Sequence, residues 1–193
     1  KENSIEMMKL IFSNDKFFTS QFSNIKDLLI LAFKNGDVSK IKELTLDKLT
    51  LDNGINLLLD KITLTAEIIE SRNAEGIIQI PNSILYNNQN YEIISINKKS
   101  FYSNKQLKSV QFQPNSKIKI IGEKSFYDSS LESIIIPNSV LKIKKNAFGN
   151  CNSIKSVIFE SDSKLTSMGK RAFQSISLQS ISIPPTVTKI KSK

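Results

Sequence analysis

The sequence predicts an α+β protein in which a helical segment is followed by a β-rich solenoid with alternating 25- and 22-residue units. The first observation is the spacing of four phenylalanines, Phe101, Phe126, Phe148 and Phe173, which stand 25, 22 and 25 residues apart. The second is that aliphatic residues or a methionine recur at matching offsets on both sides of each phenylalanine. Self-similarity at a period of about 20–50 residues indicates stacked repeats, because no single unit can bury its apolar face alone.

Each repeat unit contains a short segment with the pattern of a β-strand. In Leu107–Phe112 and Leu131–Ile136, for example, apolar residues occupy every second position near the end of the segment. Side chains of a strand alternate between its two faces, so one set points into the core. The predicted inward positions are 110 and 112, 134 and 136, 157 and 159, and 181 and 183. Stacking of the units then gives a parallel sheet.

The repeated units resemble a known family. The segment Ser133-Ile134-Ile135-Ile136-Pro137-Asn138-Ser139-Val140 runs on to Phe148, and Ile121-Gly122 precedes Phe126 at the same offset. In this respect residues 77–193 resemble BspA-like leucine-rich repeats. The resemblance implies a leucine-rich-repeat solenoid and a surface-exposed protein that attaches to host or matrix proteins. Lys144 replaces the family's usual glycine, which leaves open whether that turn needs a positive φ angle.

Residues 1–61 have helical rather than strand patterns and are predicted to form an N-terminal α-helical cap. Near residues 24–44 a helical face ends at Asn35-Gly36-Asp37 and a second apolar pattern follows. This segment resembles the middle of an ankyrin repeat, and an ordinary helical hairpin is the alternative interpretation. From Ile62 onward β-branched residues favour strands, so the solenoid domain is predicted over 62–193.

The outward positions of the predicted strands form a candidate surface that we call the partner-binding face. Its members belong to equivalent positions of successive units, so stacking would place them in two columns. A protein or a glycan is the expected partner. The alternative is that small residues simply pack across tightly stacked units. The partner-binding face consists of Ser109, Gln111, Ser133, Ile135, Ser156, Ile158, Ser180 and Ser182.

A second candidate surface, the basic ridge, is defined by cations that precede each repeat phenylalanine. Stacking would bring them into a stripe that attracts a polyanion, such as a sulfated glycan, anionic lipid or nucleic acid. The alternative is a solvated lysine-rich rim. No exposed aromatic residue is predicted between these lysines and no base-reading motif is present, which argues against specific nucleic-acid recognition. The basic ridge consists of Lys98, Lys99, Lys124, Lys144, Lys145, Lys170 and Arg171.

Charge and residue usage favour binding over catalysis. The net charge is +9, and residues 71–193 carry 18 Lys or Arg against 7 Asp or Glu, which favours an anionic partner for that part of the chain. The sequence has no histidine and a single cysteine, Cys151, so it lacks the commonest general base and cannot form an intrachain disulfide. Cys151 is predicted to be a buried structural thiol. We therefore expect a non-catalytic binding protein with no catalytic residues, metal site or cofactor.

The cellular location is not fixed by the sequence. The longest apolar stretch, Leu28–Phe33, is too short to cross a bilayer. The chain begins at Lys1 and stops at Lys193 within a repeat, so we expect a fragment of a longer protein, and the lack of a signal peptide indicates nothing. The family resemblance favours the cell surface or secretion. An intracellular leucine-rich-repeat scaffold is the alternative, favoured by the ankyrin-like segment and the absence of disulfides.

Overall fold

The computed structural model describes residue 36, residues 39–40 and residues 45–191. Thirteen strands are assigned in this part of the chain, most of them short because each repeat turns after a few residues. In chain order they are β1 (Leu46–Thr50), β2 (Asn56–Asp60), β3 (Thr65–Ile68), β4 (Gly76–Ile80), β5 (Ser83–Tyr86), β6 (Gln89–Ile96), β7 (Leu107–Phe112), β8 (Ile120–Ile121), β9 (Ser133–Ile136), β10 (Lys142–Ile143), β11 (Ser156–Phe159), β12 (Ser167–Met168) and β13 (Lys189–Ile190).

The strands form two sheets, and successive repeat units contribute one strand to each. The four-stranded sheet has the order β11-β9-β7-β4, and all its neighbours are parallel. The nine-stranded sheet runs β1-β2-β3-β6-β8-β10-β12-β13, with β5 paired to β6 beside this path. Its last members are two-residue strands. They lie at recurring apolar positions where the sequence predicted no separate strand. The predicted leucine-rich-repeat solenoid is therefore confirmed, with two sheets.

The insertion after β4 is a β-hairpin. Strands β5 and β6 are antiparallel, with Tyr86 opposite Gln89. The two residues between them, Asn87 and Asn88, have φ angles of 48° and 59°. Asparagine tolerates this left-handed conformation, and a two-residue turn with both φ angles positive matches the twist of the flanking strands. The hairpin thus lengthens this unit without interrupting the stack.

The chain divides into two compact units. The larger one contains Lys48–Leu59 and the chain from Leu64 onward, and the other contains, among the described residues, 45–47 and 60–63. Within the smaller unit, the backbone N–H of Lys61 donates to the carbonyl of Thr45 (2.9 Å). The Lys61 ammonium also lies 3.2 Å from the Asp47 carboxylate. The domain boundary expected between residues 61 and 62 stays a prediction.

The predicted α-helical cap is not supported by the described residues. Within the 1–61 segment, β1 and β2 are strands and both belong to the nine-stranded sheet. In β2 the fully buried Leu57 and Leu59 alternate with half-buried neighbours, which is the two-residue period of a strand. In the sequence, the two-residue period of β2 is hard to see because apolar residues also stand between the buried positions. Nearly all of the ankyrin-like segment at residues 24–44 lies outside the described residues.

The four repeat phenylalanines form a continuous stack inside the solenoid, as the sequence predicts. Ring centroids of neighbouring residues are 5.1 Å apart, and the interplanar angles are 13°, 3° and 2° along the series. Phe101, Phe126 and Phe148 are fully buried, whereas Phe173 is partly buried. The centroid spacing is close to the ~4.8 Å between hydrogen-bonded strands, so backbone pairing and ring stacking share one repeat distance.

One predicted strand is absent. Residues 180–183 form no strand and do not pair with β11, and Ile183 is 37% exposed instead of pointing inward. An open cleft of about 700 Å³ lies between β11 and this segment. The sequence pattern is that of the other units, but the backbone hydrogen bonds to a neighbouring strand that would hold it extended are missing here. Ser180 and Ser182 are consequently exposed loop residues.

Two glycines are required by close contact between adjacent turns of the solenoid. A Cβ atom on Gly122 would lie 2.5 Å from the backbone of Asn97, and one on Gly169 would lie 2.3 Å from the backbone of Lys145. Neither glycine has a positive φ angle. Lys144 occupies the equivalent position between them and carries a side chain. The question raised by Lys144 is thereby answered, since this position needs no left-handed backbone.

Truncation within the phenylalanine stack should be strongly destabilising. Phe126→Ala removes a fully buried ring with stacked neighbours on both sides. We expect the free energy of unfolding to fall by about 3–5 kcal/mol. Phe173→Ala is the matched control, because this ring is partly buried and should cost less. Urea denaturation followed by circular dichroism measures both, and equal losses would contradict the role assigned to the central rings.

Addition of a methyl group at the tight turn should also be destabilising. Gly122→Ala places a Cβ against the Asn97 backbone and should lower the free energy of unfolding by about 1–3 kcal/mol, as overpacking does elsewhere. Lys144→Ala is the control at the equivalent position, where a Cβ is already accommodated, and should change stability little. Thermal denaturation of both variants provides the measurement. A neutral Gly122→Ala would show that the turns can separate freely.

Candidate functional site

The four-stranded sheet carries six of the eight residues of the partner-binding face. Strand register pairs Ser109 with Ser133, and Ser133 with Ser156, so the serines form one column as predicted. Ile135 pairs with Ile158 in the neighbouring column. The serines are half-buried, whereas the residues of the second column are exposed. The structure does not bring Ser180 and Ser182 into this array.

The exposed side of this sheet is more apolar than the sequence analysis indicated. Ile135 and Ile158 are each 53% exposed and adjacent. Strand β4 adds Ile77, which is 67% exposed and pairs with Ser109, and Gln79, which pairs with Gln111. The alternating pattern Ile77–Ile80 could have revealed these two outward residues. Ile135 and Ile158 form a small apolar patch of the kind that partners cover, and Ile77 is a separate exposed isoleucine in the serine column two strands away from Ile135.

A column of charged residues borders the partner-binding face. Glu132 lies between two lysines of the adjacent units and forms ion pairs with both, at 3.4 Å to Lys108 and 3.8 Å to Lys155. The same three residues are linked through backbone hydrogen bonds of 2.8 and 2.7 Å. All three side chains are largely exposed, so these ion pairs contribute little stability. The surface therefore combines exposed isoleucines with a charged edge, as protein interfaces commonly do.

The basic ridge lies along the turns that precede the phenylalanine stack. Backbone N–H groups of Lys99 and Lys124 donate to the carbonyls of Glu123 and Lys145 in the next unit, both at 3.0 Å. The N–H of Asn146 likewise donates to the carbonyl of Lys170 at 3.0 Å. Equivalent turn residues are therefore held next to one another. This geometry brings ridge residues of successive turns together, and the function of the ridge stays a prediction.

The ridge consists of two adjacent columns with an interruption in each. Most members are exposed, and Lys124 and Lys170 are half-buried. Lys144 stands apart, in the column that also contains Gly122 and Gly169. One main column is Lys98, Glu123, Lys145 and Lys170, and the other is Lys99, Lys124, Asn146 and Arg171. A carboxylate and an amide thus separate cations that the sequence analysis treated as a continuous stripe.

Three of the cations occupy a backbone conformation that ordinarily favours glycine or asparagine. The φ angles are 60° at Lys99, 53° at Lys124 and 58° at Arg171, and the equivalent Asn146 has 54°. A left-handed conformation costs an L-residue without a compensating local hydrogen bond about 1–2 kcal/mol. Lysine and arginine side chains are not suited to such a local hydrogen bond. A cation at these positions therefore has a higher conformational energy than glycine or asparagine would have.

One exposed aromatic residue, Tyr102, accompanies the ridge, which corrects the expectation that none would. Tyr102 and Tyr127 stack with centroids 5.6 Å apart and an interplanar angle of 10°. Lys99 Nζ lies 5.3 Å from the centre of the Tyr102 ring, and Lys124 Nζ lies 5.5 Å from that of Tyr127. In the sequence, this pairing of a lysine with a tyrosine is visible as the motif Lys-x-x-Tyr in two units of the repeat. These distances are within the range of cation–π attraction.

A groove of about 460 Å³ opens beside Tyr102. We call it the Tyr102 groove, and it is lined by Arg72, Tyr102, Ser103, Asn104, Lys105 and Gln106. Next to it, Lys105 Nζ lies 2.8 Å from the Asp128 carboxylate, and Ser103 Oγ donates to the other carboxylate oxygen at 3.0 Å. The hydrogen bond from Lys105, supported by that from Ser103, lowers the pKa of Asp128 below its ordinary value. Asp128 is therefore an ionised acceptor at neutral pH.

Comparison with known families assigns the repeat. A model of the BspA type leucine-rich repeat region matches residues 78–193 in six copies. The chain belongs to the BspA-type leucine-rich repeat family. It is accordingly a repeat protein for protein–protein interaction, and members of this family are typically non-catalytic. No curated protein matches the chain.

Two solved structures are similar to this chain in fold. The crystal structure of the pneumococcal vaccine antigen PcpA matches with a TM-score of 0.58 and 20% identity, over 75% of this chain and 46% of that one. A leucine-rich repeat protein from Bacteroides ovatus matches with a TM-score of 0.56 and 27% identity, over 76% of this chain and 36% of that one. The chain thus spans less than half the length of either protein.

Cys151 has the surroundings of a structural thiol in the BspA-type repeat. It is fully buried, and its Sγ donates to the carbonyl of Phe126 at 2.9 Å and lies 3.5 Å from Ser129 Oγ. Burial raises the pKa of the thiol, so the reactive thiolate is disfavoured. Among the described residues no group of three or more metal-ligating side chains occurs, and no helix is long and apolar enough to span a bilayer.

Proposed function

We propose that the chain is a non-catalytic, adhesion-type protein that binds another protein through the partner-binding face. The observation that carries this proposal is the pair Ile135 and Ile158, which stand side by side and are each 53% exposed on a regular parallel sheet. Burying exposed isoleucines is favourable at roughly 25 cal/mol per Å² of apolar surface. The serines beside them leave room for a partner's side chains and offer hydroxyl groups for hydrogen bonds.

The expected partner is a host-surface or extracellular-matrix protein. This expectation comes from the BspA-type family, and it agrees with the description of PcpA, a protein with the same fold, as a vaccine antigen. The charged column of Lys108, Glu132 and Lys155 would lie at the rim of the interface, where charges set orientation more than affinity. An intracellular scaffold would use the same sheet face with a different partner.

The partner-binding face can be tested with a charge placed at its centre. Ile135→Asp should weaken binding to an immobilised extracellular-matrix preparation by about tenfold or more, because a buried carboxylate at an interface is costly. Leu85→Asp is the matched control, since Leu85 is 74% exposed but lies on the hairpin strand β5. Surface plasmon resonance compares both variants with the wild type. Equal effects of the two substitutions, or no binding by the wild type, would contradict the proposal.

The basic ridge supports a second candidate function, binding of a polyanion such as a sulfated glycan. The specific observation is that Lys99, Lys124 and Arg171 occupy left-handed backbone positions, where glycine or asparagine is favoured. Repulsion between aligned cations adds to that cost unless an anion neutralises them. Adjacent turns about 5 Å apart would present the cations on either side of Glu123 and Asn146 to a chain of negative charges.

A heparin column provides the test of the ridge. The double variant Lys145→Glu and Lys170→Glu should elute at lower salt, and the slope of log affinity against log salt should fall by about one for each cation lost. Lys164→Glu is the control, because Lys164 is exposed in a loop away from the ridge columns. If a single Lys164→Glu change reduced retention as much per charge as the ridge pair, binding would follow overall charge and the ridge would have no special role.

A further inference from the structure

The Tyr102 groove is separate from the partner-binding face, and its geometry follows from the stacking of three turns. The N–H of Ser71 donates to the carbonyl of Ser100 at 2.7 Å, as the N–H of Phe101 does to Ser125 in the next turn. Arg72 and Tyr102 are therefore equivalent residues of adjacent turns. Tyr127 stacks on one side of the Tyr102 ring, and Tyr102 lines the groove together with Arg72. The groove thus combines an aromatic ring with a cation.

The floor of this groove is rigid. The side-chain amide of Asn104 is buried and donates to the carbonyl of Ala74 at 2.8 Å. Its oxygen accepts from the backbone N–H groups of Gln106 and Leu107 at 3.0 and 2.9 Å. These bonds connect two turns of the solenoid and fix the loop that carries Tyr102 and Lys105. The groove is thus preformed, and a volume of about 460 Å³ is within the usual range for small-ligand sites.

The groove is cationic but contains acceptors as well. Glu70 holds Arg72 through a contact of 2.6 Å to its Nε, and Asp128 holds Lys105. Lys99, whose Nζ lies 5.3 Å from the centre of the Tyr102 ring, adds a third cation beside the groove. The excess of positive charge is therefore modest. A polyphosphate would meet two carboxylates, whereas a ligand with one negative charge and several hydroxyl groups would satisfy both kinds of group.

We propose that the Tyr102 groove binds a single acidic sugar residue at the end of a glycan chain. The C–H face of the sugar ring stacks on Tyr102, whose π-face carries partial negative charge. Its carboxylate pairs with Lys105 or Arg72, which are pre-positioned by Asp128 and Glu70. Sugar hydroxyls donate to the Asp128 carboxylate and bond with the exposed amide of Gln106. The neutral counterpart of such a sugar lacks the ion pair and binds more weakly.

Isothermal titration calorimetry with the 193-residue chain tests this proposal with three probes: sialyllactose, sulfated lactose and lactose. Sialyllactose should bind at least about tenfold more tightly than lactose, which corresponds to the loss of one charge-assisted hydrogen bond. Sulfated lactose separates a requirement for a carboxylate from a requirement for any anion. Tyr102→Ala should weaken sialyllactose binding by about tenfold, whereas Tyr102→Phe keeps the ring and should bind nearly as the wild type.

Matched controls separate the groove from the other two surfaces. Lys105→Met should weaken binding of sialyllactose, whereas Lys170→Met, which removes a ridge cation outside the groove, and Ile135→Asp should leave it unchanged. Tyr102 is 39% exposed, so its variants should fold, and a thermal melt verifies this. The proposal is overturned if lactose and sialyllactose bind equally, if the wild type binds neither, or if the Lys170→Met change matters as much as the Lys105→Met change.

Discussion

The solenoid depends on one distance, the separation of about 5 Å between its adjacent turns. Phenylalanine rings stack at 5.1 Å in the interior, and parallel strands pair at a similar spacing in both sheets. The turns that carry the basic ridge are joined by backbone hydrogen bonds in the same way. Any residue type repeated at one position therefore becomes a column of like groups. The partner-binding face and the basic ridge are built from columns of this kind, although Glu123 and Asn146 interrupt those of the ridge.

The sequence predicted the repeated core and one sheet, and it missed the second sheet and the end of the strand array. The phenylalanine stack and strands β7, β9 and β11 follow from offsets that recur in every unit. The second sheet was missed because its later strands have only two residues, too few for a period of two to be visible. Residues 180–183 have the strand pattern, but a pattern cannot supply the neighbouring hydrogen bonds that keep a segment extended.

The candidate sites likewise include features that the sequence predicts and features that only the structure shows. The partner-binding face was predictable on three strands because alternation fixes which side chains point outward. The Tyr102 groove was not, since it combines Arg72 from an irregular early unit with residues of a later one, 30 positions along the chain. The structure shows that these units are adjacent, through the hydrogen bonds from Ser71 to Ser100 and from Asn104 to Ala74. Left-handed φ angles at the ridge lysines were likewise invisible, because lysine gives no sequence signal for that conformation.

The two tight glycines have a consequence for how such a protein can grow or shrink. Gly122 and Gly169 each end a 25-residue step, whereas Lys144, and Lys191 after it, end steps of 22 residues and carry side chains. Along the solenoid, turns that contact their neighbour closely at a glycine therefore alternate with turns that accommodate a side chain. Loss or duplication of a single unit would place two turns of the same kind in succession and break this alternation. Length variants that keep the alternation would differ by multiples of 47 residues, which is two units at a time.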